Sequence, residues 1–370
     1  MQTFRVFALV ALVACVSCFS AITVATDPSS NPDGQFFPAP LIGTNDMIPI
    51  AVANWMQGDY NTKVYIYTSA DGKTWSKNEA ITGDNYGMLI PMVISRDYLM
   101  LAATNMETGE AAVFDYKRSG HKALIPNGKL PANGYASAAV FKEDAVLSID
   151  STGQLSGAFR VNGKLQAAKT VSIEVDNEPI AMKLVDDDML LIDTNGTAIV
   201  AVSDSHGGYT KTQTISVPPE FVLPDSENCA GFGAVVYQKI SEDMTAAPSF
   251  VIFERDGNQL KHFKLDLTDA MLEPVASMGI VSKGIVQATP VVLSAHTIEV
   301  SLTCLTTKNT WAVTRLVLAT SPSGWVVQRV NGVGMSGSQI MMTGVSLSSG
   351  AVYVLGGSAD MSQSVLSLAQ

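Results

Sequence analysis

Past residue 35, apolar residues occur in short runs bounded by Gly, Asn, Asp and Ser. Such runs indicate β-strands, and no longer window shows a clean helical periodicity. The runs recur as a unit of three apolar strands joined by two polar turns and followed by a polar corner. The clearest copies begin at Ile90, Ala138 and Pro179, and they superpose with almost no gaps. The pattern therefore predicts an all-β, repetitive chain.

Four looser copies begin at Phe36, Gly233, Pro290 and Ile340, which makes seven copies. The repeat has a period of about 50 residues, which is typical of a β-propeller with four-stranded antiparallel blades. Candidate fourth strands follow these residues: Trp75, His121, Lys169, Tyr209, Met271 and Trp325. The seventh copy ends with its third strand, so we expect residues 21–25 to pair outside residues 364–368 and to close the ring. We therefore expect residues 21–370 to form a single domain, a seven-bladed propeller. We expect the protein to be a monomer.

Residues 1–20 have the pattern of a secretory signal peptide. Arg5 is their only charge, an apolar run follows it, and small residues stand at Ser17, Ser20 and Ala21. An uncleaved membrane anchor is one alternative, because the uncharged run is long enough to span a bilayer. A bacterial lipobox is another, because residues 12–15 resemble one that ends at a lipidated Cys15. A secreted protein is expected, with membrane anchoring as the alternative.

The composition excludes several classes of protein and partner. Of the residues, 47% are hydrophobic and 15% are charged, which excludes a disordered chain. The formal net charge of −11 disfavours binding to nucleic acids and anionic lipids. An extracellular glycan or protein is the expected partner, with no stable membrane insertion once the signal peptide is removed.

Two cysteines, Cys229 and Cys304, remain after signal removal. In an oxidising compartment they can form a disulfide, and two buried free thiols are the alternative. The sequon that begins at Asn195 is either an N-glycosylation site or a simple Asn-Gly hairpin turn.

The corner after the third strand of the first copy carries a family resemblance. It contains Ser69, Asp71, Gly72, Thr74 and Trp75, and it resembles the Asp-box (BNR repeat) of sialidase-like propellers with one residue fewer before the glycine. Ser and Asp side chains are expected to bond the turn backbone, the glycine to adopt an unusual φ, and the Trp to pack between blades. Degenerate versions occur at residues 203–209, 320–325 and 358–360. The resemblance implies a structural role for these residues.

A weaker resemblance is to kelch propellers, whose blades end the second strand in a glycine pair such as Gly356-Gly357. The sialidase resemblance implies three substrate-binding Arg residues, the first in an Arg-Ile-Pro segment, but residues 35–38 contain no Arg. The mature chain has six: Arg96, Arg118, Arg160, Arg255, Arg315 and Arg329. The repeat places Arg96 in a hairpin turn and the other five on or beside third and fourth strands. No sialidase activity is expected.

Other chemical motifs are weak. The segment from Gly332 to Gly337 matches G-x-G-x-x-G, but a strand is predicted after it where nucleotide binding needs a helix. Residues 186–188 are three Asp that align with hairpin turns, and the four His show no metal-ligand spacing. No cofactor and no metal site are expected.

The connectors between blades repeat an Asn near an aromatic residue, which suits sugar or peptide binding. The candidate ligand-binding residues are Asn85, Tyr86, Asn133, Tyr135, Asn177, Asn228 and Phe232. Alternatively, the Asn residues serve turn geometry and the aromatics fill blade junctions. The leading hypothesis is a secreted, non-enzymatic propeller that binds a carbohydrate or protein partner at the channel face. The alternative is a sialidase-like glycoside hydrolase that uses connector carboxylates, namely Asp84, Asp176, Glu178 and Glu227.

Overall fold

A computed structural model describes a set of separate ranges of the chain: residues 19–20, 22–28, 34–39, 41, 48–57, 61–81, 86–87, 89–94, 98–105, 107, 111–117, 124–129, 138–141, 145–162, 164–167, 171–185, 188–193, 197–203, 209–216, 234–238, 249–256, 259–294, 296–334, 339–346, 351–358 and 360–369. Within them the chain forms 29 β-strands, numbered β1 to β29 in chain order, and two 3-10 helices. The strands assemble into seven sheets, numbered here in chain order from β3.

The first four sheets are antiparallel meanders in which each strand pairs with the next, except that a short fifth strand in sheet 3 pairs with the third strand of that sheet. Sheet 1 contains β3 (Gly34–Pro38), β4 (Ala51–Gln57), β5 (Asn61–Ser69) and β6 (Trp75–Ile81). Sheet 2 contains β7 (Ile90–Ile94), β8 (Tyr98–Thr104), β9 (Ala111–Lys117) and β10 (Leu124–Lys129). Sheet 3 contains β11 (Ala138–Phe141), β12 (Ala145–Ile149), β13 (Gln154–Val161), β14 (Lys164–Ala167) and the short β15 (Val171–Ser172). Sheet 4 contains β16 (Pro179–Val185), β17 (Asp188–Asp193), β18 (Thr197–Ser203) and β19 (Tyr209–Ser216).

The last three sheets depart from this plan in their outer strands. Sheet 5 contains β20 (Ala234–Gln238), β21 (Ser249–Asp256) and β22 (Gln259–Asp266). Sheet 6 contains β23 (Ile285–Ser294), β24 (Thr297–Leu305), β25 (Trp311–Ser321), β26 (Gly324–Gly334) and β1 (Phe19–Ser20). Sheet 7 contains β27 (Gln339–Ser346), β28 (Val352–Ser358), β29 (Gln363–Ala369) and β2 (Ile22–Pro28).

The sheets follow one another around a ring. First strands of neighbouring sheets contact each other at five junctions, namely β11 with β16, β16 with β20, β20 with β23, β23 with β27, and β27 with β3. Sheet 2 contacts sheet 3 through β10 and β14, and Val64 of sheet 1 shares a core cluster with Leu99 of sheet 2. Consecutive meanders in a ring, with the first strands innermost, form a β-propeller.

Hydrophobic cores lie between neighbouring sheets. One cluster joins Val52 of sheet 1 to Leu101 of sheet 2, and another joins Phe250 of sheet 5 to Leu316 of sheet 6. All five residues of β12 are buried, because a middle strand packed between two sheets buries both of its faces. This packing accounts for the high apolar content of the chain.

The closing strand is confirmed. β2 pairs antiparallel with β29 in a register that places Ile22 opposite Leu368 and Asp27 opposite Ser364. The pairing shifts by one residue between Thr23 and Ala25. The chain therefore fills the fourth position of sheet 7 with its N-terminal segment.

Other strand predictions need correction. The fourth strand expected after Met271 is wrong, because the chain there forms the 3-10 helices Glu273–Met278 and Ser282–Gly284. Val275 and Met278 instead pack against Gly332 of β26. In sheet 3 the fourth strand precedes Lys169 rather than following it. In sheet 1 the second strand begins at Ala51 instead of Met47, a residue outside the described ranges.

Candidate recognition face

Two kinds of loop meet at one end of the ring. Strand direction reverses at every turn of a meander, so the turn from second to third strand and the connector to the next sheet lie at the same end. The structure shows this directly, because Tyr86 of a connector forms an isolated bridge with Asn105, which follows β8. In sheet 3, the Ile173 amide donates to the Gly153 carbonyl at 2.9 Å. We call this end, with its connectors and second-to-third-strand turns, the recognition face.

Tyr86 is part of the packing between sheets 1 and 2. Its ring lies edge-on to Phe114, with centroids 5.3 Å apart and an interplanar angle of 89°. The side chain is half-buried against the cluster that joins these sheets. Such a pair contributes about 1 kcal/mol beyond its buried area. The Tyr86 side chain thus fills the junction between sheets 1 and 2, which agrees with the alternative in which connector aromatics serve packing.

Asn177 holds a connector to a strand end. Its Nδ2 donates to Oδ2 of Asp193 at 3.0 Å, while Oδ1 of Asp193 accepts from the Thr197 amide at 2.8 Å. Asp193 is buried at the end of β17. The Asn177 amide therefore fixes the connector before sheet 4 against the turn of that sheet.

Asn54 fixes the connector before sheet 2 in the same manner. Its Nδ2 donates to the Leu89 carbonyl at 3.0 Å, and its Oδ1 accepts from the Leu89 amide at 2.9 Å. Asn54 is buried on β4, so both bonds are shielded from water. Sequence analysis missed this residue, because an Asn inside an apolar strand gives no local sign of its partner.

A polar residue at the end of the second strand caps several turns on this face. Asp150 Oδ1 accepts from the Thr152 and Gln154 amides at 2.8 and 3.0 Å, and Asn105 Oδ1 accepts from the Glu107 amide at 3.0 Å. Thr306 plays this part in sheet 6, where its Oγ1 accepts from the Thr310 amide at 3.2 Å. The sequence signal is an Asn, Asp or Thr directly after the second strand, which occurs in sheets 2, 3 and 6.

The turn at Ser358 and Asp360 belongs to this group. Asp360 Oδ1 accepts from the Ser362 amide at 3.1 Å, and Ser358 Oγ accepts from the Gln363 amide at 3.0 Å. The turn joins β28 to β29, which are the second and third strands of sheet 7. Its assignment to a corner after a third strand is therefore wrong, because this turn follows the second strand of its sheet.

The Asp-box corner of sheet 1 lies at the opposite end of the ring, between β5 and β6. Asp71 Oδ1 accepts from the Lys73 and Thr74 amides at 2.8 and 2.7 Å. Ser69 Oγ donates to the Thr74 carbonyl at 2.7 Å and accepts from the Gly72 amide at 2.8 Å. The hydrogen bonds from the Thr74 and Lys73 amides lower the pKa of Asp71 to about 2. The turn is thus held by its own side chains.

The glycine and the Trp of this corner contact sheet 7. Gly72 has a φ of 72°, and a Cβ on it would lie 2.1 Å from the Tyr353 hydroxyl. The Trp75 ring lies edge-on to Tyr353 with centroids 5.7 Å apart, and its Nε1 donates to the Gly72 carbonyl at 3.2 Å. A side chain at position 72 is excluded both by φ and by space.

The same corner of sheet 6 repeats this packing against sheet 5. Gly324 has a φ of 108°, and a Cβ on it would lie 2.3 Å from Cε2 of Phe263. Trp325 is buried in the cluster between the two sheets, and its Nε1 donates to Oε1 of Glu254 at 2.6 Å. In the corner of sheet 4, residues 204–208 lie outside the described ranges.

Several predicted residues also lie outside the described ranges and stay predictions. They are the ligand-binding candidates Asn85, Asn133, Tyr135, Asn228 and Phe232, the acids Asp84 and Glu227, the sequon residue Asn195 and the thiol Cys229. Cys304 is a buried free thiol with its Sγ 3.8 Å from the Thr314 hydroxyl. Burial raises the pKa of Cys304 to about 12, which keeps the thiol protonated.

Three carboxylates are exposed on the connector from sheet 3 to sheet 4. Glu174, Asp176 and Glu178 alternate along this connector. Oδ2 of Asp176 lies 3.9 Å from Nζ of Lys211, and the Asp176 side chain is 78% exposed. The connector therefore presents negative charge to the solvent on the recognition face.

Arg315 forms a buried ion pair with Glu299. The two side chains are 7% and 1% exposed, on neighbouring strands of sheet 6. Burial, with a contribution from the charge of Arg329, lowers the pKa of Arg315 to about 10. Arg255 lies at the end of the second strand of sheet 5, beside the third strand, where it is paired with Leu260. Arg96 and Arg118 are outside the described ranges.

The glycines of the G-x-G-x-x-G match lie partly on β26, and a strand, β27, follows them as expected. Gly332 makes room for Met278, whose Sδ would lie 2.6 Å from a Cβ at that position.

Within the described part of the chain, no helix is long and apolar enough to cross a membrane. The same residues contain no group of three or more His, Cys, Asp or Glu suited to a metal ion.

Comparisons with known proteins identify no family. No protein-family model and no curated protein match this chain. Among solved structures, the WD40 β-propeller domain of Doa1 has a TM-score of 0.45 and 11% identity, covering 94% of this chain and 96% of that chain. The N-terminal domain of Nup159 has a TM-score of 0.41 and 10% identity, covering 95% and 96%. The fold assignment rests on the sheet topology.

Proposed function

We propose that the chain is a secreted, non-enzymatic β-propeller that binds a protein partner through its recognition face. The seven sheets are the seven blades of the ring, and the apolar segment at the N-terminus directs export. The corner of sheet 1, capped by Ser69 and Asp71, supports a relationship to Asp-box propellers in architecture, as do the positive-φ glycine and the Trp that it shares with the corner of sheet 6. Rigid scaffolds that display loops at one end commonly serve recognition.

The exposed connector carboxylates carry this proposal. Glu174, Asp176 and Glu178 give the connector before sheet 4 a negative potential, which repels acidic sugars and attracts Lys and Arg side chains. The connector is held at both ends, by the Ile173 amide and by Asn177, so it loses little entropy on binding. A basic segment of a protein fits these features best.

The contacts that Tyr86 and Asn177 make within the protein argue against a sugar-binding role for these two residues. The Tyr86 ring packs on Phe114 and the Asn177 amide bonds Asp193, so both groups already serve the fold. Sugar binding by stacking needs an aromatic face that is open to solvent. These two contacts favour a protein partner over a carbohydrate.

Selection of peptides from a random display library on the immobilised chain tests the proposal, with a glycan array run in parallel. We expect enriched peptides to be rich in Lys and Arg, and to lose at least tenfold in affinity when Glu174, Asp176 and Glu178 are all replaced by Gln. A matched control replaces three exposed carboxylates elsewhere, Glu79→Gln, Asp266→Gln and Glu273→Gln, and is expected to bind normally. Binding of neutral glycans without any basic peptide would contradict a protein partner.

A further inference from the structure

The N-terminal segment is bonded to two neighbouring sheets within ten residues. Phe19 and Ser20 of β1 pair in parallel with Val333 and Gly334 of β26, in sheet 6. Residues of β2 then pair antiparallel with β29, in sheet 7. Only Ala21 lies between the two strands. The segment therefore crosses from one sheet to the next.

Because one residue separates β1 from β2, the distance between the two strands can vary little. Ser20 and Ile22 are separated by two peptide units, about 7 Å at full extension. Gly334 and Leu368, which face them, are thus held close across the junction of sheets 6 and 7. The same segment also covers two outer strand edges, and uncovered edges promote aggregation. β1 is part of the closure and not merely an extension of the leader.

If export removes a leader, as proposed above, the position of the cleaved bond decides whether this closure is kept. Signal peptidases select small residues one and three positions before the cleaved bond. The rule is met at Ser17–Cys18, with Cys15 and Ser17, at Ser20–Ala21, with Cys18 and Ser20, and at Ala25–Thr26, with Thr23 and Ala25, where cleavage would remove β1 and residues 22–25 of β2. Cleavage at the second bond removes both residues of β1, whereas cleavage at the first keeps them.

We propose that processing cleaves the Ser17–Cys18 bond, so that Phe19 and Ser20 remain on the mature chain and join sheet 6 to sheet 7. The step is a hydrolysis by a signal-peptidase-type endopeptidase of the exporting cell. Water adds across the peptide bond, leaving a carboxylate on Ser17 and an α-amino group on Cys18. This proposal rests on the export part of the proposed function.

The intact mass of the exported protein tests it. The full-length chain is expressed in insect cells with its own leader, and the mass of the secreted product is expected to begin at Cys18. A product that begins at Ala21 overturns the proposal while leaving export intact. A chain that stays in the cell and begins at Met1 overturns export itself. The same chain expressed in a bacterial host tests lipid anchoring: a product acylated at an N-terminal Cys15 would overturn cleavage of the Ser17–Cys18 bond.

Two matched substitutions sharpen the assignment. Ser17→Gln places a large residue before the proposed bond and is expected to reduce the amount of product beginning at Cys18 by at least fivefold. Ser20→Gln makes the same change before the competing bond and is expected to leave the N-terminus at Cys18. The reverse pattern overturns the proposal. Hydrogen exchange of residues 331–334 in the secreted protein supplies a second readout, with slow exchange expected when β1 is paired.

Discussion

At the scale of single residues, small polar side chains determine the turns at both ends of the ring. Asp71 at one end and Asp150 at the other accept hydrogen bonds from amides that a tight turn leaves unpaired. The sequence predicted the bonds of Ser69 and Asp71 to their own turn, because these residues lie within a few positions of the groups that they bond. It missed Asn54, because its partner Leu89 is 35 positions away.

Replacing Asp71 by Asn should destabilise the protein in a pH-dependent way. Folding lowers the pKa of Asp71 to about 2, so its carboxylate stabilises the folded state above the unfolded value of about 4. That contribution is lost as the pH falls from about 4 towards 2. Urea unfolding should therefore show a less stable variant at pH 6 and a much smaller difference near pH 2.5.

The control for this prediction is Asp176→Asn, on a side chain that is 78% exposed. Its effect on unfolding should be smaller at pH 6. If Asp71→Asn and Asp176→Asn shift the urea midpoint equally, the turn hydrogen bonds of Asp71 do not stabilise the fold.

At the scale of elements, side chains from the strands hold the connectors of the recognition face in place. Asn54 on β4 bonds Leu89, and Asp193 on β17 bonds Asn177. The apolar pattern predicted most strand positions correctly, since periodicity is a local property. The region after Met271 was missed, because a 3-10 helix that buries Leu272 and Val275 also looks apolar.

Replacing Asn54 by Ala should reduce the free energy of unfolding by about 2 to 3 kcal/mol, because it leaves the Leu89 amide and carbonyl buried without their partner. Asn54→Asp is the matched variant, since it keeps the acceptor for the Leu89 amide and loses the donor to the carbonyl. Denaturant unfolding measures both changes. A loss below about 0.5 kcal/mol for Asn54→Ala would show that water replaces the side chain.

At the scale of the whole molecule, stability depends on closing the ring. β2 covers the edge of β29, and the closing sheet also packs on sheet 1, where Tyr353 meets Trp75. A ring that is open at this edge exposes a strand to pairing with other chains. Pairing of the N-terminal strand β2 with the C-terminal strand β29 is therefore expected to keep the protein soluble.

A chain that lacks residues 1–28 should be less stable by about 5 kcal/mol, from about five lost ladder hydrogen bonds at about 1 kcal/mol each. It should also aggregate, as measured by size-exclusion chromatography and thermal unfolding. A peptide of residues 22–28 added in excess should restore part of the melting temperature, whereas a scrambled peptide should not. An unchanged melting temperature in the shortened chain would contradict a closing role for β2.

By itself, the sequence determined the all-β class, the repeat, the side-chain capping of the turn at residues 69–75 and the need for an N-terminal closing strand. Each of these follows from local pattern or from counting strands. Only the tertiary structure decided what the polar and aromatic side chains contact, because such contacts join residues far apart in the chain. In the folded chain Tyr86 packs on Phe114, and Asn177 bonds Asp193. β1 likewise pairs with β26 at the junction of sheets 6 and 7, and no local sequence pattern predicts that pairing.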